Sequence, residues 1–250
     1  MELIQSYKSL CTEFYDLDKP EAETEALEFY LIEAKESYQP VLEPMCGSGR
    51  FLIPLLEHGI EIEGLDASAE MLGCCKRKCR EKNLKPVLYY QSLTEMILPK
   101  HYGLVFIPSG SFGLITGDKD IKESLKRISS CLIPNGKLIL EIETPDSVTQ
   151  NIISDKREVR KNGNVRIEFS SESDFNGRSN IQITDYVYRM YRKDELIRTE
   201  SETISTRHYR ISEFFELLNF AGFSEIKSLI PFTMEKASDK DEMIMFSCVK

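Results

Sequence analysis

The chain has 250 residues, of which 41% are hydrophobic, and a formal net charge of -9 at pH 7. This length and apolar content allow one substantial core, and α/β sheets of this size commonly form a single domain. The acidic balance disfavours a nucleic-acid surface, because phosphate binding needs a concentrated basic face. No apolar run is long enough for a bilayer, and the start Met1-Glu2-Leu3 lacks the features of a secretion signal, so we expect a soluble cytoplasmic protein without membrane contact.

The seven cysteines are an odd number without regular spacing, which fits a reducing compartment better than a disulfide framework. Cys74, Cys75 and Cys79 form the one cluster in the sequence. No histidine lies near them and no second ligand pair exists, so we predict no metal site.

The first stretch, Ser6 to Lys35, is predicted to be helical, because Leu10, Phe14 and Leu17 have helical spacing. Lys19-Pro20 interrupts it, and a second helix is expected over Thr24 to Tyr38. We interpret Phe14 as a packing residue of an amphipathic helix.

The segment Val41 to Arg50, followed by Ile62 to Asp66, predicts a strand, a glycine turn, a helix, a second strand and an acid. Gly47 and Gly49 would let the backbone turn sharply and approach a ligand. Asp66, at the end of the second strand, is placed to accept hydrogen bonds from both hydroxyls of a ribose.

Two cofactor classes use this arrangement. A nicotinamide dinucleotide fingerprint needs a third glycine where this chain has Leu52, and Glu43 would point a negative charge at the diphosphate. S-adenosylmethionine has a ribose, a cationic ammonium and a sulfonium, and no phosphate. The residues therefore favour S-adenosylmethionine over a nicotinamide cofactor.

Strands and helices then alternate, which predicts a parallel sheet with right-handed crossovers. The expected strands are Val41 to Pro44, Glu61 to Leu65, Val87 to Tyr90, Gly103 to Ile107 and Lys137 to Glu143, with helices over Arg50 to Leu56, Ser68 to Lys82 and Asp118 to Leu132. The carboxyl ends of the first, second and fourth strands share one edge, where Glu43, Asp66 and Pro108 should converge.

After Thr144 the residues alternate between apolar and polar, which predicts an antiparallel meander. Its strands are Val165 to Ser170, Ile181 to Tyr191 and Leu196 to Arg207, and its turns contain Asn162-Gly163, Asn176-Gly177 and Lys193-Asp194. On the middle strand, Tyr186, Tyr188 and Met190 share a face that would cover either a substrate pocket or a homodimer partner. A helix over Ile211 to Ala221 and strands over Phe223 to Leu229 and Met243 to Val249 would return to the main sheet.

The segment from Gln39 to Thr144 resembles a class I S-adenosylmethionine-dependent methyltransferase. Four landmarks match in order: Glu43 to Arg50 as the first glycine motif, Asp66 as the ribose acid, Val87 to Leu93 as the third strand with its adenine-contacting turn, and Leu132 to Lys137 as the turn before the fifth strand. The resemblance implies a Rossmann-like α/β fold with a doubly wound, mostly parallel seven-stranded sheet, and an antiparallel β insertion after the fifth strand.

The resemblance also implies a cofactor site for S-adenosylmethionine. Its residues would be Tyr15, Glu43, Met45, Cys46, Gly47, Gly49, Asp66, Ala67, Met71, Ser92, Leu93 and Pro108. Tyr15 lies in a segment that often folds over the cofactor in this family, although helix packing explains it equally well. Two positions depart from the family pattern, because Met45 replaces a glycine and Ser92-Leu93 replaces an acid that contacts adenine.

The loop Pro108 to Gly113 is placed to flank the transferred methyl group, and it lacks the Asn/Asp-Pro-Pro-aromatic signature of enzymes that methylate amide or exocyclic base nitrogens. Weak candidates for acceptor contacts are Ser111, Phe112, Tyr186, Tyr188 and Tyr209. Ordinary loop hydrogen bonding explains Ser111 and Tyr209 equally well. His208 is the one histidine considered as a general base, although a lone histidine is more often structural, and no catalytic residue is assigned.

The sequence therefore predicts methyl transfer from S-adenosylmethionine to a nitrogen or oxygen of a small molecule. Within a single domain, 1–38 would form an N-terminal helical cap, 39–147 the cofactor-binding core, 160–207 an insertion capping the site and 208–250 the return to the sheet. Two alternatives stay open at this point: a non-enzymatic protein that binds S-adenosylmethionine, and a nicotinamide-dependent oxidoreductase.

Overall fold

The computed structural model describes residues 7–150 and 156–250. The first half of the chain contains α1 (Ser9–Asp18), α2 (Thr24–Glu36), β1 (Val41–Pro44), α3 (Leu52–Glu57), β2 (Ile62–Asp66), α4 (Ala69–Glu81), β3 (Val87–Tyr90), β4 (Tyr102–Ile107), α5 (Asp118–Cys131) and β5 (Leu132–Glu143). The second half contains α6 (Pro145–Gln150), β6 (Lys156–Asn162), β7 (Val165–Asn176), β8 (Ile181–Arg192), β9 (Glu195–Arg207), α7 (Ile211–Phe220), β10 (Ser224–Leu229) and β11 (Met243–Val249).

The main sheet has seven strands in the order β10-β11-β5-β4-β1-β2-β3. Strands β1 to β5 pair in parallel, whereas β11 pairs antiparallel to both β5 and β10. The chain moves outward in one direction from β1 to β3 and restarts on the other side of β1 with β4. The gap between the ends of β1 and β4 is therefore the switch point of the sheet, where ligands bind in doubly wound folds.

The sheet is buried on both faces, because its central strands carry apolar residues at consecutive positions. Val41, Leu104 and Ile139 pack on one face with α2, α3 and α4. Leu42, Val105 and Leu140 pack on the other face with α5 and α7. The Rossmann-like α/β fold predicted from the sequence is confirmed, including the β insertion after the fifth strand.

The insertion is a second sheet of four antiparallel strands in the order β6-β7-β8-β9. Its inner face packs on α1, where Phe14 stacks on Phe169 with ring centroids 4.9 Å apart. Leu10, Ile167 and Tyr188 are buried in the same contact. The face of β8 that carries the tyrosines is therefore covered by α1, the N-terminal helix of the same chain. The sequence predicted that this face covers a substrate pocket or a dimer partner, and for its buried part this prediction is wrong.

Several element boundaries differ from the sequence predictions. Helix α3 begins at Leu52 instead of Arg50, because the backbone from Cys46 to Phe51 is used by the turn, in which Gly49 N–H donates to the carbonyl of Cys46 at 2.9 Å. Strand β5 begins at Leu132 instead of Lys137, and β6 was not predicted as a strand. Ser6, the predicted start of the first helix, lies outside the described residues.

Within 7–150 and 156–250, no helix is long and apolar enough to cross a membrane.

Candidate functional site

The turn after β1 uses three residues with left-handed backbone: Met45 (φ 59°), Gly47 (φ 54°) and Gly49 (φ 84°). A Cβ atom at Gly49 would lie 2.6 Å from Cys75 Sγ and 2.9 Å from Ile53, so glycine is required there for packing. A Cβ atom at Gly47 would have only Met71 Sδ within 4 Å, at 3.9 Å. Met45 adopts the conformation that glycine provides in the resembled family, at a strain of about 1–2 kcal/mol.

Asp66, the last residue of β2, ties this turn to the start of α4. Its Oδ2 accepts a hydrogen bond from Gly47 N–H at 2.8 Å and its Oδ1 accepts one from Ser68 N–H at 2.8 Å. Burial raises the pKa of Asp66, and these backbone donors oppose the rise. Each carboxylate oxygen has a second lone pair. Asp66 can therefore accept further hydrogen bonds at the mouth of the turn.

Glu43 is a buried carboxylate beneath the turn, with 2% of its surface exposed. Burial raises its pKa well above the ordinary value, while the Arg50 guanidinium and the Leu52 N–H oppose the rise. Within the part of the chain that the structure describes, its Oε2 is buried without a hydrogen-bond partner. Such an oxygen is costly unless a cation or donor reaches it.

Arg50, which the sequence analysis did not include in the site, lies beside Glu43. Its Nη2 donates to Ser109 Oγ at 2.5 Å, and its guanidinium lies 6.0 Å from the centre of the Tyr15 ring. Its Nε is buried and has no acceptor among the described residues. A buried acceptor on Glu43 and a buried donor on Arg50 fit the ammonium and carboxylate of an amino acid, which is the methionine end of S-adenosylmethionine. The sequence signal that could have identified Arg50 was its position directly after the glycine turn.

Two tyrosines from the N-terminal segment lie over the turn. The Tyr7 carbonyl accepts a hydrogen bond from Ser68 Oγ at 3.0 Å, and its ring meets Tyr15 edge-on at 6.5 Å. Burial raises the pKa of both phenols, and the charges of Asp66 and Glu43 add to the rise for Tyr7 and Tyr15, respectively. The structure thus places Tyr15 beside the predicted site. Tyr7 joins it without any sequence signal that could have found it.

The other predicted cofactor contacts are positioned around the same turn. Met71 is buried next to Gly47, Cys46 N–H donates to the Leu65 carbonyl at 3.0 Å, and the backbone N–H of Ala67 bonds to Asp66. Leu93 is buried after β3, and Ser92 Oγ donates to Glu95 Oε2 at 3.3 Å. The carboxylate at this turn is therefore Glu95, three residues after the position where the resembled family often has an acid.

The loop after β4 begins with the buried Pro108. Three residues predicted to contact the acceptor, Ser111, Phe112 and Tyr209, have partners within the protein instead. Ser111 Oγ donates to the Pro108 carbonyl at 3.0 Å, which is a local loop bond. Phe112 and Tyr209 are fully buried and pack with Phe214 in the core. The prediction that Phe112 and Tyr209 contact an acceptor is wrong, because neither side chain reaches a surface.

The two tyrosines of β8 have different surroundings. Tyr188 is 4% exposed under α1, with its hydroxyl donating to Cys11 Sγ at 3.3 Å, so its predicted acceptor contact is wrong. Tyr186 is half-buried and stacks on Phe169 at 5.4 Å. Of the two side chains, Tyr186 has the larger exposed fraction.

His208 lies under the acceptor side of the sheet edge and is 1% exposed. Its Nδ1 lies 3.2 Å from the Thr144 carbonyl and its Nε2 lies 3.2 Å from Gln182 Oε1. Burial lowers the pKa of His208. Both ring nitrogens have partners within 3.2 Å and the ring is buried, which favours a structural role for His208 over that of a general base.

Among residues 7–150 and 156–250, no group of three or more His, Cys, Asp or Glu side chains could hold a metal ion.

Sequence comparison finds proteins that are similar to this chain. Residues 41–136, from β1 to the beginning of β5, match the sequence model of a family described as "Methyltransferase domain". YqeM of Bacillus subtilis (strain 168), which carries a provisional methyltransferase name, is 23% identical over 212 residues, covering 84% of this chain and 83% of YqeM.

Structure comparison extends the similarity to the whole fold. An S-adenosylmethionine-dependent methyltransferase from Clostridium acetobutylicum ATCC 824 superimposes with a TM-score of 0.79 at 18% identity, covering 95% of this chain and 96% of that one. The sugar N-methyltransferase KedS8 from Streptoalloteichus sp ATCC 53650 gives 0.78 at 14% identity, covering 100% and 96%. At these identities the structural similarity shows the fold alone.

Proposed function

We propose that the chain is a class I S-adenosylmethionine-dependent methyltransferase that transfers the cofactor's methyl group to an amino group of a small molecule, such as an amino sugar. The match of residues 41–136 to a family described as "Methyltransferase domain" supports this proposal. The observation that carries the cofactor half of this proposal is that two atoms of residues at the glycine turn, Glu43 Oε2 and Arg50 Nε, are buried without a hydrogen-bond partner among the described residues. An adenosyl amino acid satisfies both, whereas a dinucleotide diphosphate would meet the Glu43 charge.

Different residues of the site would bind different parts of the cofactor. Asp66 would accept the ribose hydroxyls, Glu43 and Arg50 would hold the amino acid end, and Met71 and Leu93 would flank the base. Tyr7 and Tyr15 would cover the bound cofactor and exclude water from it. When bound, S-adenosylmethionine supplies an activated methyl group on a sulfonium.

The protein's task in such a transfer is to hold an acceptor nitrogen in line with that methyl group in a dry site. A strong base would not be required for a neutral amine, because its lone pair would form the new N–C bond as the C–S bond breaks and its electron pair goes to sulfur. The resulting ammonium would then release a proton to solvent. This agrees with the packing of His208, which leaves no histidine at the active edge among the described residues.

Two observations support a small acceptor. KedS8, which shares the fold over 100% of this chain with a TM-score of 0.78, is titled a sugar N-methyltransferase. The net charge of -9 disfavours a nucleic-acid acceptor.

We further propose that 39–147 and 208–250 form the catalytic core, while the insertion at 160–207 shields the acceptor side together with α1. A homodimer would have to use the outer face of the insertion, because α1 covers the inner one.

The experiment that tests the proposal is a turnover panel. The full chain is incubated with S-adenosylmethionine and with matched pairs of sugars, each a 3-amino or 4-amino hexose beside the corresponding neutral hexose, and products are identified by mass spectrometry. Methylated amino sugars with unmodified neutral hexoses are expected. Methylation of hydroxyls alone would overturn the nitrogen assignment. Cofactor binding without turnover on any acceptor would favour a non-enzymatic binding protein.

A further inference from the structure

Glu143, the last residue of β5, lies at the acceptor side of the switch point. It follows Glu141 by two residues, so both side chains leave the same face of the strand. Glu141 Oε2 accepts a hydrogen bond from Ser109 N–H at 2.9 Å, and Ser109 also receives Arg50. Glu143 is one step nearer to the edge, and a Cβ atom at Gly110 would lie 3.1 Å from Glu143 Cγ. Its side chain therefore lies over the loop that flanks the methyl position.

The Glu143 carboxylate differs from the other acids of the site. Glu141 is satisfied by Ser109 and by Tyr30, whose hydroxyl donates at 2.5 Å. Glu143 is 37% exposed, and within residues 7–150 and 156–250 no donor forms a hydrogen bond with its carboxylate. The nearest cationic candidate, His208 Nδ1, is 3.8 Å away and directed to the Thr144 carbonyl at 3.2 Å. Glu143 is thus a carboxylate with unused acceptor capacity, facing the site.

The groups around Glu143 come from three other elements. Lys19, after α1, lowers its pKa electrostatically against the raising effect of burial. Tyr186 of β8 lies within the range of its charge, since burial raises the pKa of Tyr186 and Glu143 adds to the rise. Burial lowers the pKa of His208, which disfavours its charged form. A partly exposed carboxylate accepts hydrogen bonds from the N–H groups of an amine.

We propose that Glu143 binds the amino group of the acceptor and orients its nitrogen toward the methyl group. This inference rests on the proposed function, since it assigns a residue to the recognition of the amine. Glu143 would accept N–H hydrogen bonds, which leaves the nitrogen lone pair free to face the methyl carbon. A neutral hydroxyl acceptor would gain less from the same carboxylate, so Glu143 would also select nitrogen over oxygen.

The test compares Glu143→Gln with the wild type and with Glu216→Gln, a matched change on the exposed surface of α7. Binding of 3-amino-3-deoxyglucose and of glucose is measured by calorimetry with adenosyl-homocysteine present, and kinetics are measured with the best amine of the panel. We expect the wild type and Glu216→Gln to prefer the amino sugar by at least about tenfold, and Glu143→Gln to lose that preference, since hydrogen bonds to a charged group are worth about 1.5–3 kcal/mol.

Melting temperature and affinity for adenosyl-homocysteine serve as controls, and both should stay unchanged in Glu143→Gln while KM for the amine rises. A parallel loss of adenosyl-homocysteine affinity would show a structural role and overturn the inference. So would an unchanged amine preference in Glu143→Gln, or no preference for the amino sugar in the wild type. If the wild type binds the amino sugar through Glu143 but methylates no amine, the proposed function fails while the binding assignment stands.

Discussion

The core sheet and the β insertion would form their parts of the proposed site over very different distances along the chain. In the core, the hydrogen bond between Gly47 and Asp66 joins residues 19 positions apart, at the ends of neighbouring parallel strands. In the insertion, Tyr188 reaches Cys11 across 177 positions. The cofactor half is thus specified by a local motif, whereas the acceptor half depends on how distant elements pack.

The two regions also differ in burial. Strands β1 and β4 are buried at every position, while β8 and β9 alternate and expose residues such as Ile183 and Leu196. Because α1 lies between the insertion and the glycine turn, it connects the regions: Phe14 packs on the insertion and Asp16 pairs with Lys78 of α4 at 3.0 Å. Changes in the core should therefore affect the cofactor first, and changes in the insertion should affect it little.

The largest expected effect is on Asp66→Ala. It removes the proposed ribose contacts, worth about 1.5–3 kcal/mol each, and also the acceptor of Gly47 N–H, so affinity for adenosyl-homocysteine should fall at least about tenfold. Calorimetry measures this, with Asp185→Ala, an exposed acid on β8, as the insertion counterpart. Equal affinities for the two variants would show that Asp66 does not hold the ribose.

The next largest effect is expected for Gly49→Ala, and it is an effect on stability. A methyl group 2.6 Å from Cys75 Sγ, added to backbone at φ 84°, should destabilise the fold by about 2–5 kcal/mol. Gly47→Ala meets no atom closer than 3.9 Å and should cost only the backbone strain of about 1–2 kcal/mol. Denaturant unfolding of the two variants compares them, and equal losses would mean that packing against α4 is not what fixes Gly49.

Glu43→Gln should separate stability from binding. Removing a buried carboxylate with an unpartnered oxygen should raise the stability of the ligand-free protein by about 1–3 kcal/mol, while affinity for S-adenosylmethionine should fall about tenfold. Thermal unfolding and calorimetry on the same samples measure both. A variant that is less stable and binds normally would contradict the assignment of Glu43 to the cofactor's ammonium.

The smallest expected effect concerns pH. Burial lowers the pKa of His208 in the folded state, so protonation favours the unfolded chain. Its stabilising contribution should be complete above the unfolded value of about 6.5 and decline as pH falls from there toward the folded pKa. Buried acids with raised pKa values, such as Glu43 and Glu141, act in the opposite direction.

To isolate the histidine, the pH dependence of the melting temperature is compared between the wild type and His208→Gln. The wild type should lose more stability on acidification than the variant does. Parallel curves would mean that His208 is accessible to protons in the folded protein and would reopen its role as a base.

The proposed cofactor half could be predicted from the sequence because its signals are local. The glycine turn, Asp66 and the alternation of strands and helices fixed the order of β1 to β5 and brought Glu43, Asp66 and Pro108 to one edge. Arg50 was overlooked because its role depends on an unpaired Nε, which only packing reveals.

The acceptor half could not be predicted in the same way. The sequence places three aromatic residues in elements expected near the active edge: Phe112, Tyr188 and Tyr209. In sequence, an aromatic residue that lines a pocket has the same pattern as one that fills a core. Burial decided against all three. Glu143 received no attention as the end of an ordinary strand, and Tyr7 precedes any recognisable motif.

Hydrogen–deuterium exchange with and without adenosyl-homocysteine tests the division between the two regions most directly. The account predicts strong protection of peptides spanning the glycine turn and the start of α4, protection of α1, and no change in the outer halves of β7 and β8 around Asp174 and Ile183. Protection centred on those insertion strands, with exchange at Gly47 and Ser68 unchanged, would contradict a cofactor site built by the core sheet.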